Sequence, residues 1–371
     1  MTPEASLAAL STQVVWAAFA LGAVFGAIVH RTNFCTMGSV ADIVGFGDWT
    51  RMRMWALALA VAVVGTTWLA AVGLIDPADS FYTTKRFTPL AYVVGGLLFG
   101  FGMVLAGGCG SKALVRAGAG SLKALVVVCI LGLVAYISLR GVLGVVRVNV
   151  LEAVRFELAT GQDMPALLGG SGASLGAVRL AVAGAVAVAL LIFVLRGRAS
   201  ITREVLLGGI GVGAVIVAVW FVSGHLGHVP EHPQTLEEAY LRTNSGRMEA
   251  LSFVAPVAWT LDYLMFFSDA SKVVTLGVAT VFGVLAGAAL HALLTRRFRW
   301  EGFRDTEDTA NHLVGGALMG FGGVTAMGCT IGQGLSGVSM LALGSFITLA
   351  AIIAGAVAGL RYQSWRIEQM A

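Results

Sequence analysis

Two cysteines, Cys109 and Cys329, hold the same place in two copies of one glycine-rich phrase. The first copy reads YVVGGLLFGFGMVLAGGCG (Tyr92 to Gly110), the second HLVGGALMGFGGVTAMGCT (His312 to Thr330). A glycine stands fourteen residues before each cysteine, Gly95 in one copy and Gly315 in the other. A thiol is a weak donor suited to a soft, polarisable partner, and the flanking Gly108, Gly110 and Gly328 let backbone and sulfur approach one ligand closely. A single cysteine in an apolar stretch is ordinarily a small, inert packing residue. Two at matched repeat positions point instead to a sulfur-lined centre where the halves of a membrane protein meet.

The residues after each cysteine differ. GGCGSKALVR turns at Cys109-Gly110 and starts a short helix near Ser111, a good N-cap. Free N–H groups at a helix start favour anions, and Lys112 and Arg116 share the face of Cys109 if the helix begins early. GCTIGQGLSG repeats the turn without cations; Thr330 and Gln333 supply hydroxyl and amide donors instead. Together these residues describe a passage for a small anion, with thiols near its narrowest point. A third cysteine, Cys35 in RTNFCTMG, has Ser245 or Gly246 as its repeat mate. It either hands cargo onward on one side only or packs at a turn. Cys129 has no mate and reads as packing inside a span.

These groups need a scaffold, and composition names it. The chain is 57% hydrophobic and 12% charged, against roughly 25% charged in a soluble domain, and its mean hydropathy is +0.86. Apolar runs of about 20 residues, enough to cross a bilayer, recur throughout. The expected fold class is an all-α polytopic membrane protein of about nine transmembrane helices plus short re-entrant half-helices. The spans fall near 12–30, 53–75, 88–106, 121–143, 176–196, 203–224, 272–293, 310–327 and 340–360. Shorter apolar pieces after Cys35, Cys109 and Cys329, and from Ser252 to Phe267, suit re-entrant half-helices shielded by protein. The first apolar stretch lacks a basic leader and reads as a retained span.

The chain forms one membrane domain, 1–371, with a first repeat half at 12–143, a joiner at 144–202 and a second, inverted half at 203–360. Arg31-Thr32-Asn33 matches Arg242-Thr243-Asn244, and SVADIVGFGDW echoes SFVAPVAWTLDY. Equivalent elements lie five spans apart, so the halves insert with opposite orientation, an arrangement common in transporters. With the N-terminus outside, fifteen of the 24 Lys and Arg, among them Arg31, Lys112, Arg116, Arg297 and Arg366, fall in cytoplasmic segments. The long loops 140–175 and 225–270 then face the periplasm and cap the outer mouth.

Other candidates carry less. His30 and His291 read as interfacial or packing residues. His225, His228 and His232 lie near Glu231, but Pro230 and Pro233 break any helical face. Arg296, Arg297 and Arg299 read as a cytoplasmic anchor. The net charge of +4 sits in loops, so no nucleic-acid partner is expected. No nucleotide-binding loop, metalloprotease motif or nucleophile elbow is present; neither enzyme activity, metal nor cofactor is expected.

The phrases RTNFCTMGSVADIVGFGDWTRMR, GGCGSKALVRAGAGSLKALV and MGCTIGQGLSGVSML resemble the YeeE/YedE family of sulfur-transport membrane proteins. The resemblance implies an inner-membrane protein that takes up thiosulfate, with Cys35, Cys109 and Cys329 in the passage. It also implies a cytoplasmic SirA/TusA-like sulfur-carrier partner, and some members are linked to selenium. The expected mechanism sets Cys109 and Cys329 at the constriction, Cys35 further in, and Lys112 and Arg116 drawing the anion electrostatically. The alternatives are another sulfur or selenium species, a membrane thiol–disulfide oxidoreductase, or a scaffold that recruits the carrier.

Overall fold

The computed structural model describes residues 3–169, 174–197, 200–233 and 235–370. Helices form nearly all of it: α1 (Pro3–Thr32), α2 (Thr36–Phe46), α3 (Thr50–Ala71), α4 (Pro89–Leu105), α5 (Gly110–Gly118), α6 (Leu122–Arg140), α7 (Val142–Val146), α8 (Met164–Gly169), α9 (Ser174–Leu195), α10 (Arg203–Phe221), α11 (Ala255–Met265), α12 (Leu276–Leu294), α13 (Thr306–Thr325) and α14 (Leu343–Met370). Two short antiparallel ladders, β1 (Arg86–Phe87) with β2 (Phe156–Glu157) and β3 (His228–Val229) with β4 (Ala239–Tyr240), stiffen the longest loops.

Eight helical stretches among the described residues are long and apolar enough to cross a bilayer. They contain α1, α3, α4, α6, α9, α10, α12 and α14. The expected ninth span, α13, fails on apolarity because Glu307, Asp308 and His312 occupy its first turns. It nevertheless packs between α4 and α6. The chain is an all-α polytopic membrane protein.

Side-chain caps set the starts of α6, α10, α12 and α13: Ser121 accepts from the Ala124 N–H, Thr202 from Val205, Thr275 from Val278 and Asp305 from Asp308. Proline stands in the first turn of α4 and α11, where its missing N–H costs nothing.

Packing pairs recur when the two halves are exchanged. The α1–α12 contact corresponds to α10–α3, α4–α14 to α13–α6, and α2–α14 to α11–α6, while α4–α13 and α1–α10 map onto themselves. The α4–α13 seam shows this at atomic scale. A Cβ added at Gly95 would lie 2.6 Å from the Ala326 nitrogen, and one added at Gly315 2.6 Å from the Ala106 nitrogen. Both contacts are backbone against backbone, so only glycine fits, as in other close membrane helix pairs. The half-helices α2 and α11 also correspond, and each is tied to the span after it. Arg51 of α3 donates to Asp42 of α2 at 2.7 Å, and Lys272, just before α12, donates to Asp262 of α11 at 2.6 Å.

Contacts between helix ends sort the termini onto two faces. His30 and His291 join the C-terminal turns of α1 and α12, Arg31 pairs with Glu204 at the start of α10, and Arg366 near the end of α14 pairs with Glu307 at the start of α13. This face also carries Arg116 and Arg297 and is the basic face of the molecule. On the far face the Leu276 N–H at the start of α12 donates to the Arg242 carbonyl, and the Leu343 N–H at the start of α14 donates to the Gln162 carbonyl.

Candidate functional site

The two glycine-rich spans end in the same hydrogen-bonded turn. After α4, the Gly107 N–H donates to the Val104 carbonyl and the Gly108 N–H to Met103; after α13, Met327 donates to Val324 and Gly328 to Gly323. This double bond is a Schellman turn, which needs a left-handed residue at its centre. Gly107 takes that conformation at φ 66° and Met327 at φ 59°. Each turn stops a span short and delivers a cysteine into the protein interior. Cys35 arrives differently, from the left-handed Asn33 that ends α1.

All three cysteines are free and buried: Cys35 is 6% exposed, Cys109 1% and Cys329 0%. Each stands immediately before a helical turn, and in two of them the sulfur accepts from the N–H three residues on. Gly38 N–H donates to Cys35 Sγ at 3.5 Å and Gly332 N–H to Cys329 Sγ at 3.4 Å, whereas Cys109 caps its helix without a side-chain hydrogen bond. With the sulfur accepting, the S–H proton is left to donate elsewhere. Cys35 and Cys109 lie close enough to influence each other, and Cys109 in turn acts on Cys329 electrostatically. Cys109 also lies 3.3 Å from the Ser111 hydroxyl. The three cysteines expected in one passage are thus neighbours in the fold.

The surroundings adjust several expectations. The helix after Cys109 starts at Gly110, with Cys109 itself as the N-cap, so Ser111 is inside the first turn. After Cys329 the chain forms a six-residue π-turn, Gly332–Gly337, in place of an α-helical half-span. Thr330 Oγ1 is buried without a geometric hydrogen-bond partner among the described residues and lies near Cys109. Gln333 is spent on structure: its amide donates to the Ala326 carbonyl at 2.6 Å and its oxygen accepts from Ser345. Lys112 donates to Asn33 Oδ1 at 3.0 Å, beside Cys35. Arg116 is not a free cation, because it pairs with Glu301 at 3.1 Å and also donates to the Gly107 carbonyl. Cys129 is exposed on the outer surface of α6 and not packed inside.

One cavity opens on each face of the molecule. A far-face cavity of about 440 Å³ reaches Gly328 and is lined by Tyr82, Ser252, Arg86, Arg147, Glu152 and Glu249, among others. A basic-face vestibule of about 640 Å³ reaches Asn33 and Lys112, with His30, Arg116, Arg297, Arg299 and Glu301 on its walls.

On the basic rim, burial opposes ionisation of Glu301, but hydrogen bonds from Lys123 and Arg116 outweigh it and hold its carboxyl at about 2. Arg297 and Arg299 form no ion pair among the described residues, which leaves the vestibule strongly positive. On the far face Glu152 takes both Arg86, at 2.8 Å, and Arg147.

No motif announces the far-face set. Arg86 lies in β1, Arg147 in a five-residue π-turn, Tyr82 in a short 3-10 turn, and Glu152 and Glu249 in loops, none of them in a repeated phrase. The charge density of the long loops is the one signal that points to them. The loop histidines gather no metal cluster among the described residues. His228 pairs with Glu238 and stacks on Tyr240, and His225 stacks on Phe221.

A profile described as sulphur transport matches residues 31–358 and thus spans all three cysteine turns. The chain belongs to the sulphur-transport family. Its relatives include a protein named thiosulfate transporter TsuA from Spirochaeta thermophila, 27% identical over 354 residues, covering 92% of this chain and 97% of that one. A protein of the same name from Escherichia coli is 28% identical over 344 residues, 90% of each chain. A probable transporter, YedE, from Escherichia coli is 29% identical over 113 residues, 30% of this chain and 26% of that one.

Proposed function

We propose that this family member takes up thiosulfate, or a closely related small sulfur anion, across the bacterial inner membrane through its thiol layer. The observation that carries the reading is the set of three buried, free thiols gathered in one interior, two of them accepting a backbone N–H. Two relatives that match nearly end to end are named thiosulfate transporters. A bare dianion pays a large desolvation cost in a dry interior, so donors must replace its water. Weak donors used in succession bind the ion well enough to admit it and loosely enough to release it. Neutral thiols also suit a soft terminal sulfur, whereas thiolates would repel the ion.

In this reading the basic face is cytoplasmic, in line with the positive-inside rule, so the N-terminus is periplasmic and the C-terminus cytoplasmic. The far-face cavity is the outer mouth, and loops 140–175 and 225–270 supply part of its wall. Residues 12–143 and 203–360 are the two inverted halves, joined by 144–202. The ion passes Gly328, Cys329 and Thr330, then Cys109 with Gly108 and Gly110, and then Cys35. Lys112 and the positive vestibule receive it. A SirA/TusA-like sulfur carrier collects it on the cytoplasmic side.

Labelled thiosulfate uptake into vesicles containing only this protein tests the reading. Cys109→Ala, Cys329→Ala and Cys35→Ala should each lose uptake while Cys129→Ala keeps it. Uptake at the wild-type rate with any of the three replaced would remove that thiol from the path. The contact between Cys35 and Cys109 supports a second reading, a thiol–disulfide enzyme. A Cys35–Cys109 disulfide that appears and disappears during turnover with a quinone would favour it.

A further inference from the structure

We propose that Glu249 is a proton site of the outer cavity, taking up a proton when a doubly charged anion binds there. The identity of that anion rests on the transport reading above; the proton linkage rests on the charges that line the cavity. Arg86 and Arg147 share one carboxylate, Glu152, which leaves one positive charge on that wall. Glu249 lines the same cavity and forms no ion pair among the described residues. Its Oε1 accepts the Ser245 N–H at 2.6 Å, and its own N–H donates to Ser223 Oγ at 2.8 Å. With Glu249 ionised the four groups sum to zero; with it protonated they sum to plus one. An arriving dianion therefore meets either a neutral cavity containing an unpaired carboxylate or a cavity with net positive charge.

The other groups around Glu249 do not supply a counter-charge. Tyr82, between Glu249 and Cys329, is a neutral phenol. Arg247 is turned to the carbonyls of Ala78 and Ser80. Asp79, held to this loop through the Met248 N–H, accepts from Tyr240 and adds only negative charge. Burial already pushes the Glu249 carboxyl above the usual carboxylate range, and a nearby dianion pushes it in the same direction. Binding the anion thus favours the protonated form, and by linkage a lower outer pH favours the anion.

The experiment adds sodium thiosulfate to the purified protein in weakly buffered lipid nanodiscs and counts protons with a pH dye. Wild type should take up protons on binding, and its affinity should tighten by up to roughly tenfold per unit fall in pH where Glu249 titrates. Glu249→Gln keeps the acceptor for the Ser245 N–H. It should bind thiosulfate with no proton uptake and little pH dependence. A second readout, on wild type alone, is an infrared band of a protonated carboxyl that appears on adding thiosulfate. Wild type binding without proton uptake, or Glu249→Gln taking up the same number, would overturn the inference. Both outcomes are independent of the cysteine variants: unchanged uptake by Cys109→Ala would sink the thiol passage and leave the proton count standing.

Discussion

The turn at Cys109 and the turn at Cys329 share a backbone and differ in the segment that each one leads into. Both spans end in the same pair of turn hydrogen bonds, and both cysteines stand directly before the next helical turn. Beyond Cys109 a nine-residue helix carries Lys112 and Arg116 toward a positive vestibule. Beyond Cys329 a π-turn carries no charge, and the cavity on that side balances two arginines against two acids. The two turns thus share the device that buries a sulfur and differ in their electrostatics. An anion crossing from the balanced side to the positive side moves down a built-in gradient.

The largest expected effect breaks the similarity of the turns. Cys109→Ala and Cys329→Ala should each cut thiosulfate uptake in vesicles at least about tenfold, since a passing dianion loses a donor in a dry site. A result in which only one of them matters would show that the matched turns do unequal work. Next come the seam glycines. Gly95→Val and Gly315→Val should destabilise to a similar degree, by roughly 1–3 kcal/mol or more, because each Cβ would strike a backbone nitrogen across the α4–α13 seam. Thermal melts in detergent read this, and a clear inequality would argue against the exchange symmetry.

Smaller effects probe the difference between the turns. Lys112→Gln should lower uptake a few-fold, most at low ionic strength where screening is weakest. Gly332→Lys, which adds a cation at the corresponding place after Cys329, should not rescue it, because that site is packed against Ser252 and Tyr82. The smallest expected effect lies in the turn centre. Gly107→Ala should cost about 1 kcal/mol by forcing a side chain into the left-handed region, and Met327→Gly should relieve a similar strain, offset in part by losing the Met327 Sδ contact to Tyr92. Opposite shifts in melting temperature would confirm that Gly107 and Met327 hold equivalent positions.

Much of this was legible in the residues. Apolar run length set the spans, because an unpaired backbone polar group in hydrocarbon leaves helices as the only local solution. The repeated Gly-Cys phrase marked the two turns, and the echo of SVADIVGFGDW in SFVAPVAWTLDY marked α2 and α11. The roles of Arg116 and Gln333 were not legible. Each is a good donor by type, yet Glu301 and Ala326, 185 residues ahead and seven behind, claim them. Cys129 reads as buried because it sits inside a span, but a helix also has a lipid-facing side.

By itself the sequence determined the class of molecule, the helices, and where the chain must break to present its sulfurs, since hydropathy, glycine and caps act over a few residues. Tertiary structure alone decided which cations stay free, which carboxyls lack a partner, and that Cys35 meets Cys109. Those outcomes depend on groups brought together from distant parts of the chain, and charge pairing in a low-dielectric interior is settled by distances that local sequence does not encode.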